Sequence, residues 1–508
     1  MSQRDGFEFE DLQGLLRFGH GRLSEACFML LKVVDPEAAR EWLLKAPVTD
    51  ASSRTPLPQA AMQIAFSAEG LRVLGIDEAV IESFSDEFIV GMTGDESRSR
   101  RLGDSGGSAP EHWRWGGDPA ATPHILLLHY ALPGGLQTQR ASVEDDRFDA
   151  AFELIEILPT RDLGGIEHFG FADGISQPKI DWQQRQSTDL HHRDRYSNRL
   201  AVGETVLGYA NEYGLYTDRP LIDPRRDERA AILADAEDLP GLKDFARNGC
   251  YLVLRQLAQD VSGFWRFLDQ QSGGDAERRE GLAASMVGRE RDGTPLMKTG
   301  GDPIPGVAPE QQGNQFTYDA DPGGHRCPLG AHIRRANPRS GDFPPGVTGF
   351  FSRLIKIFGF GQRRADEDLV ASTRFHRLLR RGRPYGPPLT PEAALETDPP
   401  QAERGLHFIC LVANISRQFE FVQDTWSMNS RFNGMRQESD PLLGGREPLI
   451  NGENSDCFRL GQTDGPARKV CGLPRFVRVR GGGYFFMPGM RALKYIASLS
   501  AADGGAGR

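Results

Sequence analysis

Leu23–Val34 reads LSEACFMLLKVV, a run too apolar for a loop and too short to span a membrane. It predicts a buried strand. Asp35-Pro36 follows at once as helix cap and first helical residue, and Glu37–Ala46 continues as a helix. The same grammar returns at Cys250–Leu257 (CYLVLRQL), after which Asp260 caps a helix through Phe264, Trp265 and Leu268. A chain that twice writes strand-then-helix is expected to lay helices on sheets in two halves.

The other apolar stretches fill in both halves. In the first, Pro58–Phe66 and His124–Ala131 read as strands, and Ser67–Leu74 and Phe84–Met92 as short helices. Ser142–Ile157 shows helical periodicity through Phe148, Ala151, Phe152 and Ile155, and Leu158–Leu163 reads as a returning strand. In the second, Asp275–Val287, Ile415–Trp426 and Arg491–Leu499 read as helices and Gly405–Val412 as a strand. Phe476–Arg480 and Tyr484–Met487 read as two strands around a Gly481-Gly482-Gly483 turn. This β-α-β…β-α-β order resembles a ferredoxin-like half. The expected fold is α+β: antiparallel sheets with helices, in an N-terminal domain (1–235) and a C-terminal domain (236–508). The 59 glycines and 33 prolines add long ordered loops, above all from Gly164 to about Asp235.

A formal charge of −10 excludes a general nucleic-acid binder, which needs a basic footprint. No hydrophobic run reaches membrane-spanning length, and the N-terminal MSQRDGFEFEDLQG has no apolar export core. A cytoplasmic location is expected. The six scattered cysteines, with no C-x-x-C pair, are then expected to be reduced structural thiols.

Three segments carry chemistry. Glu167–Pro178 reads EHFGFADGISQP, and Asp173 is the only acid between Glu167 and Asp181. An acid among glycines is either a turn cap or a placed acid/base group. His325–Arg339 reads HRCPLGAHIRRANPR, with His332 between the small Gly330 and Ala331 and the cations Arg334, Arg335 and Arg339. Small neighbours leave room for a flat group, and arginines match its carboxylates, so the surround suits a haem iron. A surface histidine, or a zinc site using His325, Cys327 and His332, are the alternatives. His376–Pro387 reads HRLLRRGRPYGP; Leu378 and Leu379 pin Arg380 beside the core, while Arg377, Arg381 and Arg383 read as a solvated run.

In this order, the three segments resemble the dye-decolorizing (DyP-type) haem peroxidases. The resemblance extends to DLQGLLRFGHGRL (11–23), APEHW (109–113), YLVLRQLAQDV (251–261), FEFVQDTW (419–426) and VRGGGYFFMPG (479–489). It implies two ferredoxin-like domains in a barrel-like α/β arrangement, with haem b held mainly by the C-terminal one. His332 would be the axial iron ligand, Asp173 the distal acid/base and Arg380 its charge partner. Arg334 would contact a propionate, and Gly170 and Gly174 would give room for porphyrin and peroxide. Hydrogen peroxide and bulky aromatic, dye-type or phenolic reductants would be the partners, in a possible homo-oligomer.

Some neighbours stay open. Asn414, or an acid such as Glu420, would sit beside the proximal histidine. The apparent insertion Ser340–Asp368 would line the haem access route or form a subunit contact. Trp113, Trp115, Trp182, Trp265, Trp426 and Tyr484 are electron-relay candidates by residue type only. A haem carrier without turnover is the competing reading, which Asp173 and Arg380 oppose. A carboxylate titrates near ~3.9 and an imidazole near ~6.5. Turnover is therefore expected to persist at mildly acidic pH; a steady-state rate that fell away steadily below neutrality would count against an ionised Asp173.

Overall fold

The computed structural model describes residues 7–184, 199–297, 313–339 except 315 and 319, and 373–499 except 447, 449–451, 453, 463 and 464. The insertion Ser340–Asp368 and the C-terminal residues 500–508 lie outside the described residues.

The first half supplies β1 (Glu25–Val33), α1 (Pro36–Leu43), β2 (Ala60–Phe66), β3 (Ile125–Ala131), α2 (Asp146–Ala151) and β4 (Phe152–Pro159). Asp35 caps α1 as expected, accepting the N–H groups of Glu37 and Ala38. The second half supplies β5 (Cys250–Gln259), α3 (Val261–Ser272), β6 (Leu379–Arg380), β7 (Arg383–Tyr385), β8 (Gly405–Val412) and β9 (Val477–Met487). All the strand pairs among these elements are antiparallel. The first half is ordered β2-β3-β1-β4; the second is β6-β8-β5-β9, with β7 also on β8. Both follow one ferredoxin-like scheme, and they join where Phe486 of β9 registers with Phe66 of β2.

Side chains alternate across a strand, and here both faces are buried. Met29, Leu31, Ile64, Phe66, Tyr251, Val253 and Phe486 point to a core closed by α1 residues such as Ala39 and Trp42. Phe28, Leu30, Ala65, Leu126, Leu252, Phe485 and Met487 point to a second core closed by Leu12, Leu15, Val202 and Tyr209. Two covered faces explain why the strands read as unbroken apolar runs.

Several expectations are corrected. Ser142–Ile157 is not one helix: α2 stops at Ala151 and Phe152–Pro159 pairs with β1. Pairing at the sheet edge overrides the helical spacing. The Gly481-Gly482-Gly483 stretch is not a turn but the middle of β9. A Cβ at Gly481 would lie 2.4 Å from the buried Trp115 ring, and one at Gly482 2.7 Å from the Met92 sulfur. The glycines are there so that Trp115 can lie on the strand and donate to Gln256 Oε1 at 2.9 Å. The Ile415–Trp426 helix is wound wider than an α-helix, as π-type turns over Ser416–Glu420 and Val422–Met428. Cys457 and Cys471 form a disulfide, because the hairpin pairing Phe458 with Val470 brings its two ends together. Cys27, Cys250, Cys327 and Cys410 are free and buried. Among the described residues, no helix is long and apolar enough to cross a membrane.

Gly481→Ala is expected to destabilise the protein by about 1–3 kcal/mol, the usual range for overpacking a closed site. Urea denaturation measures this, and an unchanged midpoint would show that Trp115 yields freely.

Candidate active site

Asp173 sits on a loop pinned by its aromatic residues. Phe169 and Phe171 are buried beside α3, with the Phe169 ring centroid 4.7 Å from that of Phe264. Gly170 and Gly174 have φ of +96° and +77°, a region that favours glycine. A Cβ at Gly174 would meet nothing within 4 Å, so this glycine serves the backbone turn and not a close approach. Asp173 Oδ1 accepts the Gly174 N–H at 2.6 Å and Arg380 Nη1 at 3.0 Å.

Arg380 ends β6, in register with Cys410 of β8. Its N–H donates to Gln177 Oε1 at 3.0 Å, so the Asp173 segment also holds the arginine backbone. Gly382 lets the chain cross β8, since a Cβ there would lie 2.5 Å from the His407 carbonyl oxygen. The flanking arginines are not a solvated run. Arg381 donates to the Leu15 and Leu16 carbonyls, Arg383 to those of His20 and Leu23, and Arg377 is buried.

His332 begins a short helix, His332–Ala336. Its Nδ1 lies 2.8 Å from Asp440 Oδ2, which leaves Nε2 for a ligand. The neighbour is thus Asp440, and neither Asn414 nor Glu420. Asn414 accepts the Arg417 N–H, and Glu420 pairs with Arg98 and Tyr484. Asp440 is fully buried, and its other oxygen accepts the N–H groups of Leu442 and Leu443. Signal for it was slight: Asp440-Pro441 in SDPLLGG reads as an ordinary turn cap.

Asp173, Arg380 and His332 line one cavity of about 290 Å³. One buried water needs only about 10–15 Å³, so this is a ligand site and not a packing void. Its walls include Phe171, Ile333, Phe408 and Leu442, and the wide-wound helix adds Phe419 and Val422. Arg334 is not on the lining. Its guanidinium is taken by the Asp321 carboxylate and the Cys327 carbonyl, while Arg339 of the same segment does line the cavity. Gly170 and Gly174 are likewise absent from the lining of this cavity. The tryptophans proposed for electron relay are buried or half-buried, and none is exposed. Among the described residues no three His, Cys, Asp or Glu converge to hold a metal ion, which disfavours the zinc alternative.

Electrostatics divides the acids. Arg380 holds the Asp173 carboxyl below its usual range, against burial, with help from the Gly174 N–H and His332. Burial pulls the His332 imidazole down, but the Asp440 charge and hydrogen bond outweigh it, and the net shift is upward. Burial pushes Asp440 up, yet His332 and the backbone donors bring it down to about 2.

No family model matches the chain. A dye-decolorizing peroxidase of Mycena epipterygia is 28% identical, covering 97% of this chain and 88% of that protein. A multifunctional dye peroxidase of an Amycolatopsis species is 29% identical, covering 85% of this chain and 81% of that protein. The chain is similar to dye-decolorizing peroxidases over most of its length. An ancestral D-type dye-decolorizing peroxidase structure is 26% identical, with a TM-score of 0.70 over 96% of this chain and 99% of that one. The Auricularia auricula-judae peroxidase structure is 24% identical, with a TM-score of 0.70 over 97% of this chain and all of that one (100%). Dye-decolorizing peroxidases are haem enzymes, and the cavity fits such a group. It offers an imidazole with one nitrogen already oriented, largely apolar walls, and arginines including Arg289 and Arg339.

In the cofactor-free protein, Asp440→Asn is expected to drop the His332 pKa below the ordinary imidazole value, because burial and the Arg380 charge then outweigh the smaller upward pull of Asp173. A histidine-resolved NMR titration reads the shift, and an unmoved His332 would remove Asp440 from this role.

Proposed function

We propose that the chain reduces hydrogen peroxide and oxidises dye-type or phenolic aromatics in one-electron steps, with His332, Asp173 and Arg380 in separate roles. The observation that supports this best is their shared cavity: a carboxylate–guanidinium pair and a histidine backed by a buried carboxylate. Haem b, one per chain, would take two oxidising equivalents from peroxide and pass them singly to the reductant.

The residues supply the rest. His332 would hold the iron through Nε2, with Asp440 fixing the ring and making the nitrogen a stronger donor. Asp173, kept ionised by Arg380, accepts a proton from hydrogen peroxide. It returns that proton to the oxygen that departs as water, a general acid–base step. Arg380 faces the same cavity, and its fixed positive charge offsets the negative charge that develops as the O–O bond breaks. Asp173 has 42% of its side-chain surface accessible, so it is reachable by a small molecule while tethered by two hydrogen bonds. With its carboxyl below the usual range, it stays ionised in mild acid, which a distal imidazole would not.

Arg380→Leu and Asp173→Asn are each expected to keep a Soret band and lose about 10²–10³-fold in kcat/KM for peroxide. Pigmented variants with wild-type turnover would overturn these assignments. A pigmented wild type with no peroxide-dependent dye oxidation would leave a haem carrier instead.

A further inference from the structure

The loop that carries Asp173 holds a second carboxylate for which the proposed chemistry has no use. Glu167 lines the main cavity and a second one of about 310 Å³, which Asp173 and Arg380 also touch. Its oxygens are already engaged. Oε2 accepts the Phe169 N–H at 2.8 Å and Gln259 Nε2 at 2.9 Å, and Oε1 accepts the Phe171 N–H at 3.1 Å. The main chain closes the same ring: Glu167 N–H donates to the Phe171 carbonyl, and Gly170 N–H to the Glu167 carbonyl, both at 2.9 Å.

Residues 167–171 are thus folded around one carboxylate, two residues short of Asp173. Gln259 is the last residue of β5, so the same carboxylate ties the loop to the central sheet. The next residues are held from outside, Ala172 N–H by the Arg291 carbonyl and Asp173 N–H by the Gly165 carbonyl. A glycine-rich loop has many conformations to lose. Three donors converging on Glu167 select one of them.

We infer that Glu167 is a positioning residue: it fixes the loop so that Asp173 meets Arg380 inside the cavity. The inference rests on the reading of Asp173 as the acid/base group. The charged groups acting on Asp173 are Arg380 and His332; Glu167 faces it too but is protonated in the range where Asp173 titrates.

Glu167→Gln in the haem-loaded protein tests it. Whichever way the new amide turns, its NH2 faces an N–H donor, so at least one of the three bonds is lost. Amide hydrogen exchange in the peptide spanning 165–175 is expected to quicken, with β1 unchanged. The kcat/KM for peroxide is expected to fall about ten- to a hundredfold, as for a slightly misplaced group. The acid limb of the pH profile is expected to move up, because Asp173 loses part of its contact with Arg380. Burial pushes the Glu167 carboxyl up to about 7, so it is already neutral where Asp173 titrates, and the limb reports geometry and not lost charge. Gln259→Leu, which removes only the tie to the sheet, is expected to move all three readouts the same way and serves if Glu167→Gln does not fold. Unchanged exchange and an unshifted limb in these variants overturn the inference. Asp173→Asn, run alongside, separates the cases: if it keeps wild-type turnover, the acid/base reading fails; if it alone loses activity, only the positioning role fails.

Discussion

The Asp173–Arg380 ion pair joins the loop after one half of the chain to an edge strand of the other. With 42% and 34% of their side chains accessible, these groups form a pair of the exposed kind, which contributes roughly 0–1 kcal/mol to stability. Energy is therefore not its purpose. Its geometry is over-determined instead: Gln177 holds the Arg380 backbone, Gly174 donates to the Asp173 carboxylate, and β8 sets the height of Arg380. The loop, the strand and the sheet all converge on placing two opposite charges at one wall of a cavity.

The histidine is held by opposite means. Asp440 is fully buried, and a buried carboxylate is tolerated only when hydrogen-bonded and paired. His332, Leu442 and Leu443 meet that demand. The cavity thus has an accessible charge pair and one whose carboxylate is desolvated. That suits a site where one side must exchange protons with a small molecule and the other must only hold still.

What the sequence disclosed was local. Asp173, His332 and Arg380 each stand in a segment whose glycines, small residues or leucines hint at their placement, and the strand-then-helix runs disclosed both halves. Asp440 was missed because it meets His332 across 108 residues, and its own segment looks like any turn. Arg334 stands off the cavity lining because charge says nothing of direction: Asp321 and the Cys327 carbonyl engage its guanidinium. The glycine triplet read as a turn because its cause, the Trp115 ring, lies far away in sequence. β4 read as helix because its pairing with β1 is likewise a long-range fact.

The join between the halves has a mechanical meaning. A single registered pair, Phe486 with Phe66, is a slight backbone seam between the two halves of one nine-stranded sheet. Yet the core on one face runs without a break from Met29 and Ile64 through Phe66 to Phe486, Tyr251 and Val253. The core on the other face does the same from Phe28 to Leu254. Neither half can part from the other without wetting the interior of both. The duplicated topology therefore shares its interior, and the apolar area buried there opposes any separation of the halves.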